Sequence, residues 1–595
     1  MLSENIAYRD IDTVFADFLC RQARGGADVL RPLARELSRG TGEGHICLHL
    51  ADAVPAGEVV STAVLLRDTG VVGRPGESAP LILDEEHRLY LYRYWAYERQ
   101  LADALLGLAS ARPEYIDTAR VQGGISRLFS DSATDGPDWQ KIAAAAALWS
   151  HLCVISGGPG TGKTTTVVKI LALLLEQGNG ERLRVALTAP TGKAAARLRE
   201  SIRRAKGRLR QITAVSDLVP DDVSTLHRLL GVIPGSSRFR HDRDNPLPYD
   251  IVVVDEASMV ALPLMAKLVR ALPCRSRLLL LGDRDQLASV EPGAVLGDIS
   301  STGTAPRFSP DFRRYLADVA GCSAAGSATA GELPALADSL VVLQKNYRFD
   351  AGSAIGIVSR AINEGDCAAM LAALRESRDG AVRRRDVPLP AALPAALEQA
   401  VLAGYREYLE QLDSAATALA AFDRFRVLCA VRRGKYGVSS LNSSIEELLA
   451  THHLITPGTT WYCGRPVMIS VNDYSLRLFN GDVGLALPDP GKEGSLAVYF
   501  PSEDGGVRKI SPLRLPRHET VFAMTVHKSQ GSEFDRVLLV VPPVDSKILT
   551  RELLYTGITR ARTSVEIWCN EELLAAAVDR RIERRSGLRK ALWGE

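Results

Sequence analysis

A glycine-rich segment near residue 160 constrains the fold of this chain more than any other feature of its sequence. It reads GGPGTGKT, from Gly157 to Thr164, follows the apolar run CVIS (153–156) and precedes an apolar helical pattern. This is the G-x-x-x-x-G-K-[ST] pattern in a strand–loop–helix context, in which glycines allow backbone N–H groups to close around phosphates at a helix N-terminus. The sequence therefore predicts a parallel α/β sheet with a phosphate loop at the carboxyl edge of its strands.

The residues of the phosphate loop have predicted roles toward a nucleotide. Those expected to surround it are Gly157, Gly158, Pro159, Gly160, Thr161, Gly162, Lys163, Thr164 and Thr165. We expect Lys163 to reach the β- and γ-phosphates of ATP, and Thr164 to hold Mg²⁺ through its hydroxyl. Upstream, Gln140 carries a two-sided amide that can bind adenine, although a solvated residue at a helix start is the alternative.

Further apolar runs each lead into a polar or glycine-containing turn. They are RVALTAP (184–190), IVVVDE (251–256) and RLLLLGD (277–283). Near-continuous apolar strands that alternate with helical patterns are typical of a parallel sheet covered on both faces. Ligands bind such sheets at the carboxyl ends of the strands, so the side chains at these ends are candidate site residues.

Acidic and amide side chains stand at two of these strand ends. Asp255 and Glu256 end the run IVVVDE, where buried carboxylates are costly unless they meet a metal ion or solvent. We expect Asp255 to bind Mg²⁺ and Glu256 to orient or deprotonate the attacking water, with a helix N-cap pair as the alternative. Gln286 follows the third run, and we expect its amide to sense the γ-phosphate.

Two arginines complete the predicted chemistry. Arg348 lies in QKNYRF and Arg560 in YTGITRAR, both in a predicted second α/β region. A guanidinium from another domain can stabilise charge on the transferred phosphoryl group when the cleft between the domains closes. Because an arginine after an aromatic residue is commonly a surface salt-bridge residue, this prediction depends on the whole series of motifs.

Three turns predict a track for the phosphates of a nucleic acid. TAPTGKAAARL contains Thr188, Pro190, Thr191 and Lys193, STLHRLLG contains His227, and AMTVHKSQGSEFD contains Thr525, His527 and Lys528. Small hydroxyls, a glycine and a basic residue at a helix N-terminus position a strand without reading its bases. Since the turns fall in both α/β regions, we expect one groove for single-stranded DNA, with 531–533 closer to the nucleotide.

Composition limits the remaining possibilities. The 72 Lys and Arg residues against 70 Asp and Glu give a formal charge of only +2, so any DNA track must be a local concentration of basic groups. The nine cysteines form no CxxC pair, which disfavours a zinc ribbon, a disulfide framework and an iron–sulfur cluster. Neither a signal peptide nor an apolar run of about 20 residues is present, and we expect a cytoplasmic protein.

Four other segments have an expected structure but no recognised chemistry. The helical, aromatic pattern at 89–106 predicts either a helix packed on a domain core or a docking surface for a partner. The Gly-, Ala- and Ser-rich stretch at 300–340 predicts a mobile loop or insertion. An Asn-Gly turn at 480–481 is typical of the β-rich segment predicted for 440–520. The basic tail after Val578 predicts a solvated helix or a frayed end.

The ordered motifs resemble those of a known family. GGPGTGKT, TAPTGKAAARL, VDEASM, GDRDQLASVEPG, NYRF, TVHKSQGSEF and YTGITRAR are similar to the superfamily 1 helicase series, in that order. GHICLHL, LYLYRYWAYERQLA, VLCAVRRGKYGVSSLN and RPVMISVNDYSLRLFNGDVG are similar to the RecD subunits of exodeoxyribonuclease V. The resemblance implies an ATP- and Mg²⁺-dependent 5′→3′ DNA helicase in a heterotrimer with RecB and RecC. It also implies repair of double-strand breaks by recombination, an N-terminal domain docked on RecC, and nuclease activity in RecB.

The predicted fold class is therefore α/β, a P-loop NTPase with two RecA-like parallel-sheet domains. A helical N-terminal domain precedes them, and a small β-barrel, SH3-like by the resemblance, is inserted in the second. The predicted boundaries are 1–110 for the partner-docking domain, 111–340 for the first RecA-like domain, 341–440 and 521–595 for the second with its basic tail, and 441–520 for the insertion.

Two alternatives remain open. The first is a free-standing superfamily 1 helicase, although the longer N-terminal region with helix-hairpin-helix elements that such proteins carry is not recognised here. The second is a structural subunit that binds nucleotide without motor activity, which the presence of Lys163, Glu256, Arg348 and Arg560 argues against.

Overall fold

Four β-sheets organise the part of the chain that the structure describes. The computed structural model describes residues 8–130, 137–177, 183–301, 308–322, 333–349, 352–377, 380–456, 460–502 and 505–594. None of the helices in these ranges combines the length and the apolar character that crossing a membrane requires.

The N-terminal region combines helices with a small mixed sheet. Its elements are α1 (Asp10–Gln22), α2 (Ala27–Gly42), β1 (Cys47–His49), α3 (Val59–Asp68), β2 (Val72–Gly73), β3 (Leu81–Leu83), β4 (Arg88–Leu91) and α4 (Tyr92–Ser110). The strand order is β1-β4-β3-β2. The prediction of a helical domain is therefore incomplete, because strands this short show too few alternations to be recognised from sequence.

Aromatic side chains around the start of α4 pack inside the molecule. Tyr90 and Tyr94 are buried, and Trp95 and Tyr97 pack against the same apolar core, which includes Met265 of the next region. Of the two alternatives that the sequence left open, packing on a core accounts for these four aromatic residues.

The phosphate loop belongs to a six-stranded parallel sheet, which with its helices we call the first lobe. Its strands are β5 (Leu152–Ser156), β6 (Val185–Ala189), β7 (Val223–Thr225), β8 (Ile251–Val254), β9 (Arg277–Gly282) and β10 (Leu340–Val342), in the order β10-β5-β9-β8-β6-β7. Its helices are α5 (Thr118–Leu128), α6 (Trp139–Trp149), α7 (Lys163–Gln177), α8 (Gly192–Leu209), α9 (Leu226–Leu230), α10 (Leu262–Arg270), α11 (Val295–Ser300) and α12 (Pro310–Ala320).

Both faces of this sheet are buried, which explains its continuously apolar strands. In β5, Cys153 and Ile155 enter one apolar core while Leu152 and Val154 enter the core on the opposite face. Successive side chains of a strand point to opposite faces, so a strand covered on both sides needs apolar residues at every position. The carboxyl ends of the strands are left as the edge where polar groups can meet a ligand.

The first lobe extends further along the chain than predicted. Strand β10 pairs in parallel with β5, so the boundary predicted between 340 and 341 is wrong. A three-residue edge strand carries too little pattern to be assigned to one sheet from sequence alone. The stretch predicted as a loop at 300–340 contains α12, while its segments 302–307 and 323–332 lie outside the described residues.

A five-stranded parallel sheet with its helices forms what we call the second lobe, and an antiparallel sheet is inserted in it. In chain order the strands are β11 (Val382–Arg385), β12 (Phe425–Cys429), β13 (Pro466–Ile469), β14 (Val483–Pro488), β15 (Leu496–Pro501), β16 (Val507–Ile510), β17 (His518–Thr520), β18 (Ala523–Thr525), β19 (Phe534–Val540) and β20 (Ala561–Trp568). The parallel sheet has the order β11-β20-β19-β12-β18, and the inserted sheet has the order β16-β15-β14-β13-β17.

The helices of this half are α13 (Ala354–Glu364), α14 (Cys367–Glu376), α15 (Leu393–Leu409), α16 (Ala415–Phe422), α17 (Val438–Thr451), α18 (Arg551–Ile558), α19 (Glu571–Asp579) and α20 (Leu588–Trp593). Leu441, Ile445 and Leu449 of α17 are buried in the core of the second lobe. The β-rich insertion therefore begins after α17, later than the predicted residue 441.

The basic tail does not project into solvent, and the prediction of a solvated or frayed end is wrong. Ser586 Oγ donates to Asp298 Oδ2 at 2.8 Å, and the Gly587 N–H donates to Glu98 Oε2 at 2.9 Å. Leu588 and Leu592 are buried in the core that contains α4. The tail thus returns from the second lobe to the first lobe and the N-terminal region. Its two leucines are buried only because tertiary packing brings this core next to them.

Candidate nucleotide site and nucleic-acid interface

A cavity of about 350 Å³ lies at the carboxyl end of β5, between the two lobes. Its volume falls within the range of small-molecule sites. It brings together most of the residues predicted to bind and hydrolyse a nucleotide, namely Pro159, Gly160, Thr161, Gly162, Lys163, Thr164, Thr165, Asp255, Glu256, Gln286, Arg348 and Arg560. Tyr347, Arg197 and Glu533 line it as well. We call this cavity the nucleotide cleft.

The phosphate loop has the backbone geometry that its glycines permit. Gly160 and Gly162 have φ angles of +84° and +81°, which residues with a Cβ rarely adopt. A Cβ at Gly162 would also lie 2.8 Å from Gln140 Nε2, so the amide of Gln140 sits directly against the loop. Gly157 and Gly158 belong to the same loop but do not line the cleft. Gln140 is thus near enough to reach a base held by this loop.

Lys163 is the first residue of α7 and its ammonium lies against the loop. Lys163 Nζ donates to the carbonyl oxygens of Gly157 at 2.5 Å and of Gly158 at 3.1 Å. Burial raises the pKa of the neighbouring carboxyls Asp255 and Asp283, and the charge of Lys163 opposes this shift. Two backbone carbonyls are weak partners for an ammonium compared with phosphate oxygens, so Lys163 can exchange them for a nucleotide.

Asp255 and Glu256 face the cleft directly after β8. Burial, and next the negative charge of Glu256, raise the pKa of Asp255 to about 6, against the opposing effect of Lys163. Glu256 has a φ of +51°, an uncommon backbone conformation for a residue other than glycine, which turns the chain sharply at the end of the strand. A cation bound beside Asp255 would relieve the repulsion from Glu256.

The residues present fit Mg²⁺ bound together with phosphates. Thr164 and Asp255 both line the cleft and offer oxygen atoms, the ligands that Mg²⁺ prefers. No group of three or more His, Cys, Asp or Glu residues that could hold a metal ion occurs in the described ranges. Thr164 and Asp255 would leave the other coordination positions of Mg²⁺ to oxygens of the nucleotide and to water.

Gln286 lies in a hydrogen-bonded cluster that joins the two lobes. Its Nε2 donates to Asp283 Oδ2 at 2.9 Å, and the hydroxyl of Tyr555 from α18 donates to the same oxygen at 2.9 Å. Gln286 Oε1 is buried and has no hydrogen-bond partner within the described part of the chain. Asp283 and Tyr555 were not predicted as site residues, although both stand in the recognised motifs GDRDQ and YTGITRAR.

Arg348 reaches the cleft from the first lobe. It follows β10, and its backbone N–H donates to Asn346 Oδ1 at 2.8 Å while Asn346 Nδ2 donates to the Pro159 carbonyl at 2.8 Å. The prediction that Arg348 comes from the second α/β region is therefore wrong, because the segment stays attached to the phosphate loop. Burial, and next the charges of nearby arginines, lower the pKa of Arg348 to about 9.

Arg560 is the arginine that the second lobe supplies. Its Nε donates to the Thr556 carbonyl at 3.1 Å and its Nη1 to the Ser532 carbonyl at 3.2 Å, which fix its direction. The side chain is buried, and burial lowers its pKa against the opposing charge of Glu256. Arg197 of the first lobe enters the cleft without having been predicted. It lies four residues after Lys193 on α8, a helical spacing that could have revealed it.

The predicted phosphate-binding turns share one construction. Thr191 follows β6, and Thr225 and Thr525 are the last residues of β7 and β18. Their hydroxyls accept the backbone N–H three residues later at 3.2, 3.3 and 3.3 Å. The hydroxyls of Thr191 and Thr225 cap α8 and α9, so two helix N-termini lie at this edge of the first sheet, whereas Thr525 closes a turn in the second lobe without capping a helix. Both lobes therefore present turns suited to phosphate groups.

The individual residues of the turns differ in accessibility. Thr188 is fully buried and its hydroxyl donates to the Val253 carbonyl at 2.9 Å, so the prediction that it contacts DNA is wrong. Pro190, Lys193 and His527 are half-buried, as are Thr191, Thr525 and Lys528, whereas His227 is exposed. Burial lowers the pKa of His527. Lys528 Nζ donates to Glu519 Oε1 at 3.1 Å.

The inserted sheet reaches the first of these turns, which the sequence did not indicate. A Cβ at Gly192 would lie 3.0 Å from Phe479 Cβ, so the aromatic ring packs on the N-terminus of α8. Tyr474 contacts Phe479 edge to face with 6.1 Å between ring centroids, and about half of its side chain is exposed. Aromatic faces therefore border the proposed track beside Lys193.

Comparison with known proteins identifies the family. Residues 4–63 match the N-terminal domain of RecBCD enzyme subunit RecD, residues 140–292 match an AAA domain, and residues 520–567 match a UvrD-like helicase C-terminal domain. A protein named RecBCD enzyme subunit RecD from Mycobacterium tuberculosis is 42% identical over 535 residues, which cover 87% of this chain and 83% of that protein. This chain belongs to the RecD family.

Other similar proteins agree with RecD membership, and the predicted resemblance is confirmed. The RecBCD enzyme subunit RecD of Haemophilus influenzae is 37% identical over 533 residues, covering 85% of this chain and 80% of that protein. A protein named ATP-dependent RecD2 DNA helicase from Deinococcus radiodurans is 30% identical over 569 residues, covering 91% of this chain and 66% of that protein. The similarity therefore extends over most of the chain and is not limited to the phosphate loop.

Proposed function

We propose that this chain is the ATP-dependent 5′→3′ DNA helicase subunit of a RecBCD-type complex. The observation that carries the proposal is one cleft in which a phosphate loop and two acids from the first lobe face an arginine from the second lobe. The names of its RecD relatives and of the RecD2 DNA helicase support the same activity. The polarity of movement rests on the family resemblance alone.

ATP would bind with its phosphates on the phosphate loop. Lys163 would leave its carbonyl partners for the β- and γ-phosphates, Thr164 and Asp255 would hold Mg²⁺, and Gln140 would bind adenine. Mg²⁺ supplies charge neutralisation of the phosphates. Tyr347 lies beside Gly162 and can pack on the base.

Hydrolysis requires a water aligned with the γ-phosphate. Glu256 is placed to accept its proton. Gln286 Oε1, which has no hydrogen-bond partner among the described residues, can accept a hydrogen bond from the same water. Arg348 and Arg560 can stabilise the negative charge that develops on the transferred phosphoryl group. Since Arg560 belongs to the second lobe, this stabilisation depends on closure of the cleft.

The loop after β9 can transmit closure to the DNA track. The Leu287 N–H donates to Thr556 Oγ1 at 2.9 Å, and Gln530 Nε2 donates to the Leu287 carbonyl at 2.7 Å. Gln530 lies two residues after Lys528 in the third phosphate-binding turn. A movement of Gln286 can therefore shift the third phosphate-binding turn, which would hold the DNA. Repeated closing and opening of the cleft would advance the protein along single-stranded DNA.

The DNA track would comprise Pro190, Thr191, Lys193, His227, Thr525, His527 and Lys528, with Thr188 as a buried support. Hydroxyls, basic groups and helix N-termini hold phosphates without selecting a sequence. Such binding falls steeply with salt concentration, since each neutralised phosphate releases counterions.

We further propose that RecB and RecC are the partners, and that the complex acts in the cytoplasm on double-stranded DNA ends, with nuclease activity in RecB. The N-terminal region, about 1–110, would dock on RecC. An exposed stripe on α1 suits this contact, because Ile11, Val14 and Phe18 share one helix face and are 61%, 59% and 49% exposed. The lobes correspond to two RecA-like domains, and the inserted antiparallel sheet to an SH3-like barrel.

DNA-stimulated ATPase activity tests the proposal. Lys163→Gln should abolish stimulation while leaving the fold intact, and equal rates for the variant and the parent chain would refute motor activity. Forked substrates with either a 5′ or a 3′ tail test the polarity, and a preference for the 3′ tail would contradict it. Size-exclusion chromatography with and without RecB and RecC distinguishes a complex subunit from a free-standing helicase.

A further inference from the structure

One carboxylate in the nucleotide cleft binds three arginines. Glu533 Oε1 accepts from Arg197 Nη2 and from Arg348 Nη2, the latter at 2.6 Å, and Glu533 Oε2 accepts from Arg562 Nε at 3.3 Å. The Glu533 side chain is only 5% exposed. A buried carboxylate left without its partners is costly, so Glu533 needs cationic groups beside it.

The four residues come from both sides of the cleft. Arg197 and Arg348 belong to the first lobe. Glu533 and Arg562 lie at the amino-terminal ends of the adjacent parallel strands β19 and β20 in the second lobe. Gly531, two residues before Glu533, has a φ of +72° and packs against Ala194 of α8, which brings this turn onto the first lobe. Glu533 therefore ties the arginines of one lobe to the backbone of the other.

The arginines are more numerous than this carboxylate can satisfy. Arg348 Nη1 is buried and has no hydrogen-bond partner within the described part of the chain. The charges of Arg197, Arg560 and Arg562 each act against the charged form of Arg348. A second anion with several oxygens would relieve this repulsion, and a γ-phosphate supplies one in the geometry that guanidinium groups prefer.

We propose that Glu533 is a positioning residue that competes with the γ-phosphate of ATP for Arg197 and Arg348. With ATP bound, these arginines turn from Glu533 to the γ-phosphate. After hydrolysis, Glu533 takes them back, which favours release of the cleaved phosphate. ADP offers no γ-phosphate, so the arginines stay on Glu533. The inference rests on the proposed ATPase function and assigns a role within it.

Nucleotide binding to the full chain measures this competition. Glu533→Gln removes the negative charge with little change of shape, so AMP-PNP in Mg²⁺ buffer should bind about tenfold more tightly, equivalent to about 1.4 kcal/mol. The Kd of ADP should change by less than about twofold, since no arginine is transferred to it. Glu533→Asp keeps the charge and should retain the parental ratio of the two Kd values.

Two further variants separate this role from a general effect on the cleft. Glu407→Gln removes a surface carboxylate that accepts from Arg424 at 2.5 Å outside the cleft, and should leave both Kd values unchanged. In an Arg348→Gln background, Glu533→Gln should lose part of its effect on AMP-PNP, because one of the two arginines that mediate it is gone. Thermal unfolding of each variant establishes that it is folded.

Two results would overturn the inference. One is an unchanged ratio of Kd values for ADP and AMP-PNP in Glu533→Gln, and the other is equal tightening of both nucleotides. If the folded parent chain binds neither nucleotide, the proposed ATPase function itself fails, and that outcome is distinct from a parent that binds both without a response to Glu533.

Discussion

Removal of the Tyr555 hydroxyl tests whether the two lobes must close for ATP hydrolysis. This hydroxyl belongs to α18 of the second lobe and donates to Asp283 Oδ2 of the first lobe at 2.9 Å. Both side chains are buried, and a Cβ at Gly158 would lie 2.8 Å from the hydroxyl oxygen, so the bond is formed against the phosphate loop. Tyr555→Phe removes the bond and keeps the ring in its packing.

The expected magnitude follows from the partners that Asp283 retains. A hydrogen bond to a charged group contributes about 1.5–3 kcal/mol. In the variant, Asp283 still accepts hydrogen bonds from the Gln286 amide at 2.9 Å and from the Asp285 N–H at 3.1 Å. We therefore expect the lost bond to cost an amount near the lower end of that range, about 1.5–2 kcal/mol. If hydrolysis occurs only in the closed cleft, kcat should fall by about 10- to 30-fold, since about 1.4 kcal/mol is a tenfold change in rate.

Steady-state ATPase measurements with saturating single-stranded DNA provide the assay. The KM for ATP should change little, because Tyr555 lies behind the phosphate loop. Tyr436→Phe is the matched control, since its hydroxyl donates to the Pro388 carbonyl at 2.6 Å within the second lobe and should leave kcat unchanged. A kcat for Tyr555→Phe within about twofold of the parent value would refute the reasoning.

Further predictions concern the cleft and the tail. Burial raises the pKa of Asp255 to about 6, so its carboxylate should become protonated as the pH falls through 6. The affinity for nucleotide in Mg²⁺ should therefore drop near this pH. A midpoint of the affinity change near the ordinary pKa of an aspartate would contradict this. Arg560→Gln should lower kcat by about 10³-fold or more with little change in nucleotide Kd, and a comparable loss of binding would argue for a ground-state role. Leu588→Ala should lower the free energy of unfolding by about 2–5 kcal/mol, measured with denaturant. Leu513→Ala, at a position that is 96% exposed, should leave it unchanged. Equal effects of the two substitutions would contradict the packing of the tail.

The sequence by itself determined the elements whose chemistry is local. The phosphate loop, the acids after β8 and the turns closed by threonine hydroxyls depend on a few adjacent residues, because glycine torsions, strand ends and local hydrogen bonds are properties of short segments. Continuously apolar runs likewise indicate a strand buried on both faces, whatever its neighbours in the sheet. The family resemblance follows from the order of these local motifs.

Tertiary structure decided which side chains meet across long distances in the chain. The three-residue strand β10 joins the first lobe only because β5 offers it an edge, and this places Arg348 beside the phosphate loop. The tail is basic in composition, yet its two leucines and its backbone find partners on α4 and α11. Glu533 binds Arg197 from a position 336 residues away in sequence. Hydrogen bonds and apolar contacts depend on distance in space, and only the packing of the lobes determines that distance.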